Sequence, residues 1–142
     1  MYLTPDYLER RFGQFVVEGS STVSVEGERV SFAGTVRPEL IPAAAARFVK
    51  SDLRIAFTEE WTTNEAGASS RTSVTVDGAP VSVEATSTLT GTETGCTREV
   101  TGNVSVRVPL LGGRIEKEAV AHLGRVVERE QALATQWLEE HR

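Results

Sequence analysis

Two carboxylates are the residues of this chain best placed to do chemistry. At 100° per residue, Glu130 falls near the centre of an apolar helical face, between Val126, Val127, Leu133 and Trp137. Glu59 shares the alternating parity of Phe57 and Trp61 in a stretch patterned as a strand. An unpaired polar group on an apolar face costs roughly 2–7 kcal/mol, so each carboxylate must be paired, protonated or exposed. One reading is a polar anchor in a ligand cavity, with a raised pKa. A second is acid–base work by two inward carboxylates. The ordinary alternative is a structural ion pair with an inward Arg or, for Glu130, a helix rotated enough to expose it. Spacing alone leaves all three open.

Other chemistries lack their residues. Gly112-Gly113 precedes a helix and could present free N–H groups to an anion. However, Glu116 already complements that helix terminus, and no phosphate-loop Lys-Ser/Thr follows. His122, His141 and Cys96 stand far apart with no carboxylate cluster at ligand spacing, so no metal site and no cofactor are expected. No Gly-x-Ser-x-Gly elbow or Cys-His pair supports nucleophilic catalysis, and no catalytic residue is assigned. The formal net charge of −5 disfavours a nucleic-acid partner. A lone Cys96 fits a reducing, cytoplasmic home. No secretory core or membrane-spanning stretch is expected.

The elements that must position these residues follow from periodicity. At 142 residues the chain is expected to form one domain over 1–142. Thr4-Pro5-Asp6 opens a helix over Pro5 to Phe12, with Thr4 as the cap. From Phe15 to Val108 the chain is rich in Val, Thr and Ser with regular turn signals. Turns are placed at Glu26-Gly27, Asn64 to Ser70, Asp77-Gly78 and Gly91 to Gly95. Period two with one polar face predicts an antiparallel sheet with one wet side. Within this stretch, Pro38 to Val49 carries the alanine run Ala43 to Ala46 and predicts a short helix. Arg114 to Glu140 is patterned as one long helix spanning about 40 Å. Its apolar face carries Ile115, Ala119, Leu123, Val126, Val127, Leu133, Ala134 and Trp137. A one-sided sheet and an amphipathic helix bury their faces against each other. The fold class is therefore α+β, with a curved antiparallel sheet of about six strands around a long C-terminal helix.

This order of elements resembles the START and birch-allergen-like helix-grip superfamily, also called SRPBCC. The segment from Val104 to Glu116, with Val108-Pro109 and Gly112-Gly113, is similar to the bacterial family called domain of unknown function 2505. So are Trp137-Leu138 and the pattern Phe48, Val49, Asp52, Leu53, Glu59, Glu60, Trp61. These are packing and turn residues. Members of the superfamily open with a strand before the first helix, and that strand pairs beside the last one. Here Met1 already adjoins the helix, so the chain is expected either to start upstream or to lack that strand. Its loss would expose the Val100 to Val108 strand as an edge, which invites a homodimer.

The resemblance and the aromatic interior together imply non-catalytic binding or carriage of a small apolar or amphipathic ligand between sheet and helix. The expected lining is Phe32, Phe57, Glu59, Trp61, Leu123, Val127, Glu130 and Trp137. The alternatives are an enzyme of cyclase or hydrolase type using Glu59 and Glu130, and a protein-interaction module acting through the exposed edge strand.

Overall fold

Alternating Val, Thr and Ser between residues 22 and 106 fold as strands. The computed structural model describes residues 1–41, 53–65, 67–77, 81–107 and 112–141; positions 112, 122 and 123 are described by backbone alone. Helix α1 (Pro5–Gly13) leads into β1 (Thr22–Glu26), β2 (Arg29–Thr35), β3 (Arg54–Asn64), β4 (Gly67–Asp77), β5 (Val81–Thr92), β6 (Gly95–Val106) and the long helix α2 (Gly112–Glu140). Pro5 occupies the first turn of α1 as its fixed φ favours. Thr4 stands at the cap position with extended backbone, but its side chain makes no capping bond. A 3-10 turn spans Pro38–Leu40. The helix expected over Ala43 to Ala46 lies outside the described residues.

The strands lie in sequence order across one curved sheet, each antiparallel to the next. Hairpin turns are tighter than composition suggests. Asn64 pairs with Gly67 and Thr92 with Gly95, so stretches expected as loops belong to strands. Hydrophilic Ser69, Ser70, Thr90 and Thr92 hid this, because a strand with polar side chains looks like a loop. Gly67 is required: at φ +150° its backbone passes Leu89, whose carbonyl oxygen would collide with an added Cβ.

One sheet face turns toward the helices. It carries Val30, Phe32, Phe57, Glu59, Trp61, Ser70, Ser87 and Val106 as its buried residues. The apolar interior is divided. Leu8, Phe12, Val16, Val30, Phe32 and Phe57 close one cluster under α1, with Phe12 stacked on Phe32 at 4.4 Å between ring centroids. Val106 and Ile115 form a second, where α2 begins, flanked by Val81 and Val104. Helix α2 is moored at both ends. Near its start, Glu116 Oε1 accepts the Val106 N–H at 3.0 Å. Near its finish, Trp137 packs edge-on to Tyr7 at 5.4 Å, and Arg10 pairs with Glu140 at 2.8 Å. Between these moorings α2 presents half-buried Ala119, Val126 and Leu133. The adjacent sheet face there carries half-buried Val83, Ala85 and Leu89, and Gly102, which has no side chain at all. No described helix is long and apolar enough to cross a membrane.

Candidate functional site

Glu59 and Glu130 meet in one charged cluster at the junction of α1, the sheet and α2. Strand parity turns Glu59 inward beside Phe57 and Trp61, and it is 0% exposed. Register pairs Glu59 with Thr72 on β4. In α1 the buried face comprises Tyr7, Leu8, Arg11 and Phe12, so Arg11 enters the interior from above the sheet. On β6, Arg98 has the inward parity of Val104 and Val106, and it reaches across the sheet to Glu59.

Glu59 is held by four donors. Oε1 accepts from Arg11 Nη1 at 3.3 Å and from the Trp61 indole N–H at 2.9 Å. Oε2 accepts from Thr72 Oγ1 at 2.9 Å and from Arg98 Nη2 at 3.0 Å. A carboxylate offers about four lone-pair sites, so this one is saturated. Glu130 is different: its Oε1 accepts from Arg11 Nε at 2.6 Å, while Oε2 stands 4.0 Å from Arg98 Nη1. Its side chain keeps 25% exposure. Two guanidinium cations thus face two carboxylates, and the formal charge of the cluster sums to zero.

Aromatic rings complete the enclosure. Arg98 lies over Tyr2 at 4.7 Å and over Trp61 at 5.2 Å, and Tyr2 stacks on Trp61. Arg11 lies over Phe12 at 4.9 Å. Such contacts recover part of the cost of desolvating a guanidinium. Burial works to lower the pKa of Arg11, but Glu130 and Glu59 outweigh it and hold the guanidinium above its ordinary value. The Tyr7 phenol is pushed up to about 12, first by burial and then by its neighbour Tyr2. Behind Glu59, Ser70 and Ser87 share a hydrogen bond, and Arg98 Nε donates to Ser87 at 3.3 Å. Arg98 Nη1 is buried and has no hydrogen-bond partner among the described residues.

The eight residues read from the sequence are distributed unevenly. Glu59, Trp61 and Glu130 lie in the cluster. Trp137 flanks it through Tyr7 and stacks on His141 at 4.0 Å. Phe32 and Phe57 are packed into the closed apolar group under α1. Val127 is 56% exposed, at the margin of the buried helix face. The side chain of Leu123 lies outside the described residues. Sequence reasoning missed Arg11, Arg98, Thr72 and Tyr2. The parity of Val104 and Val106 pointed to Arg98, and the spacing of Tyr7, Leu8 and Phe12 pointed to Arg11. Nothing in the sequence brings Tyr2 to this place.

Beside the cluster, each wall carries an exposed valine next to its charged residue. On β6, Val100 is 55% exposed and lies two residues from Arg98, on the same face. On α2, Val127 precedes Glu130 by three residues. The Arg98–Glu130 contact joins the walls at that point. A separate shallow concavity on the outer side of α2, bounded by Glu128, Gln131, Thr135 and Glu139, has no part in this arrangement. Among the described residues no cluster of His, Cys, Asp and Glu could hold a metal ion, and Cys96 is an exposed free thiol.

The chain belongs to the family described as protein of unknown function DUF2505, which it matches over residues 1–138. No curated protein and no solved structure matches it.

Proposed function

We propose that this DUF2505 chain binds a small amphipathic molecule, without transforming it, along the inner flank of β6 beneath α2. A single observation carries the reading: Val100 and Val127 stay more than half exposed beside the half-buried Arg98–Glu130 contact. An apolar surface of this kind, next to convergent polar groups, is the ordinary make-up of a ligand site. The divided core supports it, because Val83, Ala85 and Gly102 leave the sheet thinly covered between the two apolar clusters. Placement in the helix-grip superfamily would agree, since such folds open between sheet and closing helix.

Catalysis through the two carboxylates fits less well. All four acceptor sites of Glu59 are occupied by protein donors, so no oxygen remains for a substrate. Native mass spectrometry of the protein purified from its host tests the binding reading. A bound organic molecule, one per chain, that is lost in Val127→Asp is the expected result. An empty chain that also takes up no amphipathic probe refutes it.

One observation favours a second reading. Strand β6 is an edge of the sheet, twelve residues long, and its outward residues are polar with Glu99 as the only charge. Long edges of this kind pair with other strands unless something blocks them. A homodimer joined through β6 would show as concentration-dependent mass in light scattering, abolished by Val100→Pro.

A further inference from the structure

We infer that the molecule bound at this site carries an uncharged hydroxyl group, placed between Arg98 Nη1 and Glu130 Oε2. The inference rests on the binding reading above and adds the chemistry of the ligand's polar end. Arg98 Nη1 offers donors and has no hydrogen-bond partner among the described residues. Glu130 Oε2 accepts no hydrogen bond among them either, and that same nitrogen stands 4.0 Å from it. Both oxygens of Glu59, Arg11 Nε and Nη1, and Arg98 Nε and Nη2 are engaged within the cluster. Between Arg98 and Glu130 this leaves a donor and an acceptor side by side.

Only certain groups fit such a doublet. A hydroxyl oxygen accepts from Arg98 while its proton goes to Glu130, which satisfies both. At ordinary hydrogen-bond lengths of about 2.8 Å to each, the angle at that oxygen is roughly 90°, close to what a hydroxyl tolerates. A carboxylate would be attracted by Arg98 but repelled by Glu130. It would also add net negative charge to a cluster that balances at two cations and two anions. An ammonium meets the reverse problem. A ketone uses the Arg98 donor and leaves Glu130 without a proton to accept. The hydrocarbon part of the molecule would lie on Val100 and Val127, the exposed neighbours of the two charged residues. Leaving a buried donor or acceptor unpaired is what gives polar sites their selectivity.

The test uses four probes of equal chain length: decanol, decanoate, decylamine and 2-decanone. Binding is followed by Trp fluorescence, because Trp61 lies against Arg98, and by the Arg side-chain resonances in 15N NMR. The expected order places decanol first, about tenfold tighter than either charged probe, with a shift of the Arg98 resonance on decanol binding. In Glu130→Gln the repulsion of decanoate is removed and the preference for decanol over decanoate should shrink severalfold. If decanoate or decylamine binds as tightly as decanol, the hydroxyl inference is overturned while the site itself stands. If 2-decanone equals decanol, Glu130 plays no part and the inference fails in the same way. If none of the four binds, both the inference and the reading beneath it fall. The wild-type order decides the matter even where the variant does not fold.

Discussion

Replacing Glu59 by Gln should be among the most damaging isosteric changes available in this chain. Four donors converge on its two oxygens, and the residue is fully buried. Gln keeps the shape but has one oxygen, with about two acceptor sites, and an NH2 group that points two protons at donors. In either orientation of the amide a guanidinium faces the NH2 group as a donor–donor contact; only the Thr72 hydroxyl can reverse its role and accept. Arg11 and Arg98 also lose the anion they share. Charge-assisted hydrogen bonds contribute about 1.5–3 kcal/mol each, and breaking a buried ion pair from one side costs about 3–5 kcal/mol. Glu59→Gln should therefore destabilise the fold by about 3–5 kcal/mol, against a total of roughly 5–15 kcal/mol for an ordinary domain. The melting temperature should drop by roughly 10–20 °C. Glu130→Gln is the control. Glu130 also meets Arg11, but its side chain is 25% exposed, so water can replace what is lost, and about 1–2 kcal/mol is expected. Urea unfolding followed by Trp fluorescence and far-ultraviolet circular dichroism measures both. A Glu59→Gln cost below about 1 kcal/mol, or a larger cost for Glu130→Gln, would refute the assignment of Glu59 as the centre of the network.

Three further outcomes are expected. The folded-state pKa of Tyr7 is raised to about 12 from an ordinary 10.0, so its contribution is fully present below pH 10 and is lost as pH rises toward 12. Unfolding free energies measured between pH 9 and 12 should fall by about 2 kcal/mol more in the wild type than in Tyr7→Phe; parallel curves would count against it. Gly67→Ala places a Cβ against the Leu89 carbonyl at a φ that L-residues avoid, and should cost about 1–3 kcal/mol by urea titration, whereas Gly95→Ala, with open space around it, should cost under 1. Glu116→Ala removes the acceptor of the Val106 N–H and should cost about 1 kcal/mol, with faster hydrogen exchange at Val106 than at Val104; unchanged exchange there would show that Glu116 does not hold the start of α2.

The architecture was readable because its signals are periodic. Val30, Phe32, Phe57 and Trp61 alternate, and Ile115 to Trp137 recur at helical spacing, so sheet and closing helix follow from sequence. The inward placement of Glu59 was equally a matter of parity. What did not follow was the partner set. Arg11 and Arg98 are long side chains on elements far apart in sequence, and only the register of β3 through β6 brings Arg98 near Glu59. Ser87 stands in an alternation otherwise carried on β5 by Val81, Val83, Ala85 and Leu89. It is an inward polar residue that meets Ser70 and Arg98, so the pattern continued with a change of chemistry. Glu116 was read as complementing a helix terminus, but it binds the neighbouring strand backbone instead. Val127 lies at the edge of the apolar arc, where a small rotation of α2 decides between burial and exposure.

The contrast between the two carboxylates bears directly on what the site can do. A general acid or base must exchange its proton with a substrate, and such groups contribute typically 10²–10⁴ in rate, about 3–5 kcal/mol of barrier. Freeing an oxygen of Glu59 for that purpose would break bonds that hold α1 and β6 to the centre of the sheet, at a cost of similar size. The gain and the loss cancel, so Glu59 is better understood as the fixed anion around which two arginines are arranged. That arrangement has a consequence at Arg98. With Nη2 committed to Glu59 and Nε to Ser87, the guanidinium plane is set, and Nη1 is held facing Glu130 across 4.0 Å. A donor so fixed makes a selective contact, because a ligand group must come to it in one orientation and no rotation of the side chain can compensate for a poor fit. The saturated carboxylate thus gives the unsaturated guanidinium its direction, which is what the proposed binding role requires of Arg98.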